Sequence, residues 1–164
     1  MIREDYPSRR RHGSLFLLTA TILVAIDQIT KLWVRNNLAS GEPLILTSFL
    51  QLSYIENTGS AFGLLANQAF LLTIISLVSL LFLFFLYRYF STTSLLATLA
   101  LAMVFGGAVG NLVDRLRFGY VTDFIDFCLW HDFHWPAFNV ADSAITVGAL
   151  TLVYFLFSLT GKRK

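Results

Sequence analysis

Long apolar runs without a charged side chain dominate the chain and predict its helices. Three of them lie at 57–87, 91–113 and 143–161, and a shorter run at 13–26 continues as an apolar pattern to position 34. A helix needs about 20 residues to cross the ~30 Å hydrocarbon core of a bilayer. The pattern therefore predicts four transmembrane helices, at about 14–34, 69–88, 94–113 and 138–160.

The segments between these helices, 35–68 and 114–137, have patterns of their own. Apolar and polar residues alternate over 50–54, which is typical of a half-buried strand with its apolar side inward. The sequence at 57–59, Asn-Thr-Gly, is a turn signal. Positions 60–68 are apolar but too few to span a bilayer, so we expect this segment to lie in the membrane interface. We therefore predict folded loops rather than linkers.

Composition places the chain among integral membrane proteins. Of its 164 residues, 56% are hydrophobic and 13% are charged, against roughly 25% charged in an ordinary soluble domain. These values exclude a disordered chain and a nucleic-acid-binding domain, which would need a basic stripe. The length fits one domain, 1–164, and the single cysteine, Cys128, excludes a disulfide within the chain.

The distribution of lysine and arginine predicts the orientation. Four spans put both termini on one side, and eight of the twelve cationic residues fall there, several of them in the basic tail at 1–13. Because cytoplasmic segments are enriched in Lys and Arg, we expect both termini in the cytoplasm and the loops 35–68 and 114–137 outside. The basic tails are expected to contact anionic lipid headgroups.

Three carboxylates fall in the predicted spans or directly at their outer ends. A rise of about 1.5 Å per residue places Asp27, Asp114 and Asp142 roughly 20 to 30 Å from the cytoplasmic face. An ionisable residue at membrane depth costs several kcal/mol, so it is a functional candidate by default. Lys31 follows Asp27 by four residues on the same helix face, which predicts an ion pair. That pair is either structural or a means of holding a substrate.

The pattern Asn-x-x-Asp occurs twice, at 111–114 and 139–142. Each amide then lies beside its carboxylate on one helix face, and the structural interpretation of both motifs is capping or pairing at a helix end. Asp142 is the stronger functional candidate, because no cation is adjacent to it in the sequence.

Two further carboxylates, Asp123 and Asp126, lie among apolar residues in the segment Val-Thr-Asp-Phe-Ile-Asp-Phe. Desolvation there is expected to raise a carboxyl pKa. Two such groups brought together can share a proton, so that one acts as base on a water and the other as acid toward a leaving amine. This is the chemistry of an aspartyl protease, and the spacing leaves open which of the neighbouring Asp residues pair.

Other chemistries have weaker support in the sequence. A metal site or a Cys–His nucleophile would draw on Cys128, His131 and His134. Their spacing spreads ligands too widely on a helix for one tetrahedral site, so we expect no metal and no cofactor. A Ser–Lys dyad would combine Lys31 with Ser53, Ser60 or Ser143.

The glycine-rich stretch 106–110 is typical of close helix packing rather than of a phosphate loop, which would follow a strand.

Five sequence blocks together resemble the lipoprotein signal peptidases, the type II signal peptidases of bacteria. The resemblance runs from about position 22 to 156. The blocks are Asp27-Gln28-Ile29-Thr30-Lys31, Glu56-Asn57-Thr58-Gly59-Ser60-Ala61-Phe62, Gly106-Gly107-Ala108-Val109-Gly110-Asn111-Leu112-Val113-Asp114-Arg115, Val121-Thr122-Asp123-Phe124-Ile125-Asp126 and Phe138-Asn139-Val140-Ala141-Asp142-Ser143.

The resemblance implies an aspartic endopeptidase of the bacterial cytoplasmic membrane that cuts prolipoproteins just before a diacylglyceryl-modified cysteine. It places the catalytic pair on Asp123 and Asp142 and leaves Asp126 without a catalytic role. Family positions assigned to substrate contact or to support of the pair fall on Asp27, Lys31, Asn57, Asn111, Asp114, Arg115 and Asn139.

The fold implied by the resemblance is an all-α membrane protein: four transmembrane helices with a small outer β-cradle and a short interfacial helix. The site is then expected near the outer face of the membrane. We expect a monomer whose partners are the diacylglyceryl prolipoprotein substrate and membrane lipids, with no nucleic acid.

A proton- or cation-coupled carrier is the alternative function, since it would also use intramembrane carboxylates. A carrier needs polar groups that reach the cytoplasmic side. The inner halves of the last three predicted helices carry almost none, which favours the enzyme.

Overall fold

Four long helices form the body of the molecule in the computed structural model, which describes residues 6–39, 41–59, 68–90, 94–130 and 133–161. They are α1 (Tyr6–Leu38), α2 (Ala69–Phe90), α3 (Leu95–Phe118) and α4 (Val140–Gly161). Each contains a stretch long and apolar enough to cross a membrane. The four predicted spans are therefore confirmed.

Two helices are longer than predicted: α1 ends at Leu38 rather than 34, and α3 ends at Phe118 rather than 113. The charges that close the apolar run of α3 do not end the helix, because cations in a last turn interact favourably with its C-terminal dipole. The helix stops at Gly119, whose φ of 80° is left-handed and whose N–H donates to the Arg115 carbonyl at 3.0 Å. Asp114 and Arg115 thus lie in a helix, not in the predicted loop.

The centre of the bundle is α3, which contacts all three other helices. In its apolar stretch 56% of the residues are buried, against 6% in α2, which lies at the periphery. Close approach depends on glycine: a Cβ at Gly106 would lie 3.0 Å from the Ala20 carbonyl of α1, and one at Gly107 would collide with the Ala141 carbonyl of α4. The predicted packing role of 106–110 is confirmed.

A small antiparallel sheet covers the end of the bundle where α1 and α3 end and α4 begins. Its strands, in spatial order, are β1 (Leu44–Ile45), β2 (Leu50–Asn57), β3 (Val121–Trp130) and β4 (Phe133–His134). The predicted strand is confirmed and is longer than 50–54. The interfacial segment predicted at 60–68 falls almost wholly outside the described residues, since 60–67 are not among them.

The buried side of β2 differs from the alternation that the sequence predicts. Ser53 is the buried residue of the strand, whereas Leu50, Leu52 and Tyr54 are half-buried. The reason lies on β3, where Asp126 is buried and accepts hydrogen bonds from Ser53 and Gln51. Hydrogen bonds to a buried carboxylate on the neighbouring strand thus keep the polar side chains of β2 on the same side of the sheet as Asp126.

Candidate active site

A cavity of about 1030 Å³ lies between the sheet and the ends of α3 and α4. Both members of the predicted catalytic pair, Asp123 from β3 and Asp142 from α4, line it. Three further predicted site residues, Asn57, Asn111 and Arg115, also line it. The fold therefore gathers residues from two strands and two helices around one opening, across 85 positions of sequence from 57 to 142.

Asp142 occupies the first turn of α4, where it takes part in a reciprocal cap with Asn139. The backbone N–H of Asp142 donates to Asn139 Oδ1 at 2.9 Å, and the N–H of Asn139 donates to Asp142 Oδ2 at 3.3 Å. Asn111 Nδ2 donates to the other carboxylate oxygen at 2.7 Å. Two donors and the positive end of a helix dipole therefore surround this carboxylate and stabilise its charge.

Asp123 is 3% exposed and is held by two amides. Asn57 Nδ2 donates to one carboxylate oxygen at 2.8 Å, and Asn139 Nδ2 donates to the other at 2.7 Å. Antiparallel pairing of β2 with β3 sets Asn57 opposite Val121, which brings its amide within reach. Burial, with the charge of Asp142 beside it, raises the pKa of Asp123 to about 7 despite these hydrogen bonds.

Asn139 joins the two carboxyl groups. Its Oδ1 faces a backbone N–H of α4, so its Nδ2 must face the opposite way, toward Asp123. One side chain thus caps the helix that carries Asp142 and donates to Asp123. The two carboxyls, 19 positions apart in sequence, are held in one polar network, as two groups that share a proton require.

A buried ion cluster lies next to this network, built on the Lys31 ammonium. Lys31 Nζ lies 2.9 Å from Asp27 Oδ2, 3.3 Å from Asp114 Oδ2 and 2.9 Å from Asn111 Oδ1. Lys31 and Asp114 are 0% exposed and Asp27 is 1% exposed. The predicted pairing of Asp27 with Lys31 is confirmed, and Asp114 joins it from α3.

Each carboxylate of this cluster also accepts a hydrogen bond from the backbone. Asp27 Oδ1 accepts from the N–H of Ala141 at 2.9 Å, and Asp114 Oδ2 accepts from the N–H of Thr122 at 3.0 Å. A cluster centred on α1 and α3 is therefore bonded to the first turn of α4 and to the start of β3.

Gln28, Arg35 and Thr122 also belong to this arrangement, although none of them was predicted as a site residue. Gln28 Nε2 lies 3.1 Å from Asp27 Oδ2, from Asp114 Oδ1 and from the Gly110 carbonyl. Arg35 Nη1 donates to Thr122 Oγ1 at 2.8 Å. The available signal for Gln28 was an uncharged amide inside an apolar span, where a polar group needs a partner.

Asp126 lies apart from the cavity, because it is three positions from Asp123 on a strand and so faces the other side of the sheet. It accepts from Gln51 Nε2 at 2.7 Å and pairs with His134 Nδ1 at 2.7 Å. Burial opposes its charge, but the hydrogen bonds from Gln51 and His134 outweigh that effect and lower its pKa.

Of the residues proposed for a metal site or a Ser–Lys dyad, most that the structure describes lie in the sheet or in the ion cluster. His134 pairs with Asp126, and Cys128 lies opposite His134 in the β3–β4 register, while His131 lies outside the described residues. Ser53 bonds to Asp126 and Lys31 to the ion cluster, so they do not form a dyad.

The other two serines considered for that dyad are Ser143 and Ser60. Ser143 lines the cavity and donates to the Asn139 carbonyl at 3.0 Å, and Ser60 is outside the described residues. Arg115, also on the cavity wall, donates to the Gly59 carbonyl at 3.5 Å.

Comparison with known proteins gives a consistent result. The family model of signal peptidase II matches residues 19–158. The lipoprotein signal peptidase of Moorella thermoacetica is 42% identical over 149 residues, which cover 90% of this chain and 96% of that protein. That of Syntrophotalea carbinolica is 46% identical over 138 residues, 82% and 85% of the two chains. A solved structure described as a bacterial membrane enzyme superposes with a TM-score of 0.84 at 31% identity, over 92% of each chain.

Proposed function

The chain belongs to the signal peptidase II family of membrane proteases, and on that premise we propose that it is an aspartic endopeptidase acting on bacterial prolipoproteins. The bond it cuts is the one before a cysteine that already carries diacylglycerol. The observation that carries the chemistry is the meeting of Asp123 and Asp142 at one cavity, with Asn139 bonded to both. The relatives named lipoprotein signal peptidase support the class of substrate.

In the proposed mechanism Asp142 enters as a carboxylate and takes a proton from a water molecule. The hydroxide so formed adds to the scissile carbonyl carbon. Asp123 enters protonated and gives its proton to the peptide nitrogen as the C–N bond breaks. Solvent then takes the proton from Asp142 and returns one to Asp123, so the net reaction consumes one water.

This division of roles is supported by the two environments. Two N–H donors and the N-terminus of α4 favour a charge on Asp142. Asp123 has a pKa of about 7 because it is buried and lies beside that charge, so a large fraction of the protein still carries this proton at neutral pH. Two neighbouring carboxyls with different hydrogen-bond partners and different backbone positions are suited to opposite roles as acid and base.

The position of the cavity suits a lipid-anchored substrate. Asp142 lies at the start of one apolar helix, and Asn111 and Arg115 lie near the end of another, so the carboxyls are close to a membrane boundary. A diacylglyceryl anchor presents the neighbouring peptide bond at such a boundary. We place this boundary at the outer face of the cytoplasmic membrane, with both termini in the cytoplasm and the protein as a monomer.

The decisive experiment replaces each carboxyl by its amide and follows cleavage of a diacylglyceryl-modified prolipoprotein by purified protein. Asp123→Asn and Asp142→Asn should each abolish the shortened product, because a pair that acts as a unit fails when either member is lost. The double variant should be no worse than either single.

Asp126→Asn is the matched control, since that carboxyl is also buried but faces the other side of the sheet. It should retain measurable cleavage. Substantial activity in Asp123→Asn or in Asp142→Asn would show that the catalytic pair, or dyad, has been assigned to the wrong residues. A folded Asp126→Asn protein without activity would show the same.

A further inference from the structure

Three buried side chains, Asp27, Lys31 and Asp114, and the half-buried Gln28 form a compact group that we call the brace. Lys31 bridges the two carboxylates, and Gln28 Nε2 spans from Asp27 Oδ2 to Asp114 Oδ1, 3.1 Å from each. Gly110 leaves room for the group, since a Cβ there would lie 2.6 Å from Asp27 Oδ2. The packing of α3 against α1 is thus shaped around these side chains.

None of the four side chains lines the cavity. Asp27, Lys31 and Asp114 are at most 1% exposed, with their oxygens and nitrogen engaged by neighbours inside the protein. A residue that touches substrate needs a face open to it. These residues therefore do not contact substrate in this conformation, and their effect on the reaction must pass through other groups.

The brace reaches the two carboxyls of the dyad by equivalent routes. Asp27 accepts from the N–H of Ala141, the residue immediately before Asp142. Asp114 accepts from the N–H of Thr122, the residue immediately before Asp123. One ammonium, that of Lys31, attracts both accepting carboxylates. These two backbone segments also meet through Asn139 and through the pairing of Phe138 with Ile125. The brace adds a second connection between them, at the residue before each carboxyl, and that connection depends on one buried cation.

A third route runs through a side chain. An ammonium has donors and no acceptor, so Asn111 must turn its Oδ1 toward Lys31. Its Nδ2 then faces Asp142, to which it donates at 2.7 Å. Lys31 thus decides which end of the Asn111 amide meets the dyad.

We propose that the brace is a positioning device that holds Asp123 and Asp142 at the separation needed to share one proton, by anchoring the backbone immediately before each. This inference rests on the proposed function and assigns Asp27, Gln28, Lys31 and Asp114 to positioning rather than to substrate contact. A site on two separate elements needs such support, since a displacement of about 1 Å can cost roughly 100-fold in rate.

The test compares Asp27→Asn and Asp114→Asn with Asp126→Asn, the same substitution at a buried carboxyl outside the brace. Steady-state cleavage of a diacylglyceryl-modified prolipoprotein is measured from pH 4 to 9, with melting in the same detergent. We expect each brace variant to lose kcat by about 100-fold with KM within threefold. The two limbs of the pH profile should also move closer together, because carboxyls that separate interact less.

Each other outcome contradicts the proposal in a recognisable way. A KM raised tenfold or more with kcat preserved would indicate substrate contact. Lost activity that follows lost folding, with the pH limbs of the remaining folded enzyme unmoved, would indicate a structural role alone. The proposed function is tested separately by wild-type protein and Asp142→Asn in the same assay: if wild type does not cleave, or Asp142→Asn does, that function fails whatever the brace does.

Gln28→Met provides the test if the charged variants do not fold. It removes the bridge between the two carboxylates without leaving a charge unpaired, and methionine has nearly the volume of glutamine. We expect a several-fold loss of kcat with unchanged KM and little change in melting temperature. An unchanged kcat and pH profile would overturn the proposal.

Discussion

At the scale of single residues, the chemistry depends on two carboxyl groups in unlike surroundings. Asp142 is capped at the start of a helix, whereas Asp123 lies on a strand and is 3% exposed. Burial and the neighbouring charge raise the pKa of Asp123 to about 7. The raised pKa lets Asp123 hold a proton, but it also means that the folded protein is destabilised at pH values where Asp123 loses that proton.

The pH dependence of stability provides a prediction at this scale. The pKa of Asp123 is about 7 in the folded state and about 3.9 in the unfolded chain. Between these values the folded protein keeps a proton that the unfolded chain has released, so stability falls as pH rises from about 4 to about 7. Asparagine has no such proton. We therefore expect the melting temperature of Asp123→Asn, relative to wild type, to increase from pH 5 to pH 8.

Thermal unfolding in detergent at the two pH values measures this difference. Asp126→Asn serves as comparison, because the pKa of Asp126 is lowered and that carboxyl stays charged throughout the range. A difference between Asp123→Asn and wild type that is the same at pH 5 and pH 8 would show that Asp123 is not protonated in the folded protein.

At the scale of elements, the site depends on how closely α3 and α4 approach. A Cβ at Gly107 would collide with the Ala141 carbonyl and lie 2.8 Å from Ile145 Cγ1. A Cβ at Gly148 would lie 2.7 Å from the Ala100 carbonyl. Two contacts, one near each end of the crossing, therefore set the position of α4. The first of them is one residue from Asp142.

The variant Gly107→Ala should displace the first turn of α4 and with it Asp142. Because the collision is with backbone, it cannot be relieved by a side-chain rotation, and overpacking of this kind costs about 1 to 3 kcal/mol. We expect a lower melting temperature and a reduced kcat. Gly41→Ala is the control, since the nearest atom to its Cβ would be 3.9 Å away. A Gly107→Ala protein with wild-type melting and activity would contradict the helix spacing.

At the scale of the whole molecule, four spans make the protein two-sided. The sheet, the cavity and the brace lie toward the end where α1 and α3 end and α4 begins, whereas the described residues 11–26 and 150–161 carry no acidic side chain. The start of α1, which carries Arg9, Arg10 and Arg11, lies at the opposite end, so the predicted basic tail at 1–13 is helical from Tyr6 onward. The excess of Lys and Arg at that end predicts that it is cytoplasmic.

Cysteine labelling of intact spheroplasts tests this orientation. In a Cys128→Ser background, Ile45→Cys at the 72% exposed position of β1 should react with a thiol reagent that does not cross membranes. Arg11→Cys, exposed at the other end of the molecule, should react after lysis but not before it. The reverse pattern, or a C-terminal reporter that is active outside the cytoplasm, would refute the predicted topology.

The sequence by itself determined what depends on local partition and local spacing. Apolar runs predicted four spans, because transfer of a helix into hydrocarbon depends on its own side chains. The i, i+4 spacing predicted the Asp27–Lys31 pair, and the five blocks indicated the family. The direction of Asp126 follows from the two-residue period of a strand, but only once the extent and register of β3 are known.

Tertiary structure alone decided the contacts between groups that are far apart in the sequence. The contact of Asp27 with the backbone of Ala141, 114 positions away, follows from the packing of α1 against α3 and α4. The orientation of the Asn111 amide depends on Lys31 from another helix. The role of Gln28 was not predicted, because the sequence does not show which partners an isolated amide in an apolar span will meet. Hydrophobic burial is a property of a segment, whereas a hydrogen-bonded site depends on the relative placement of several segments, which their separate patterns do not contain.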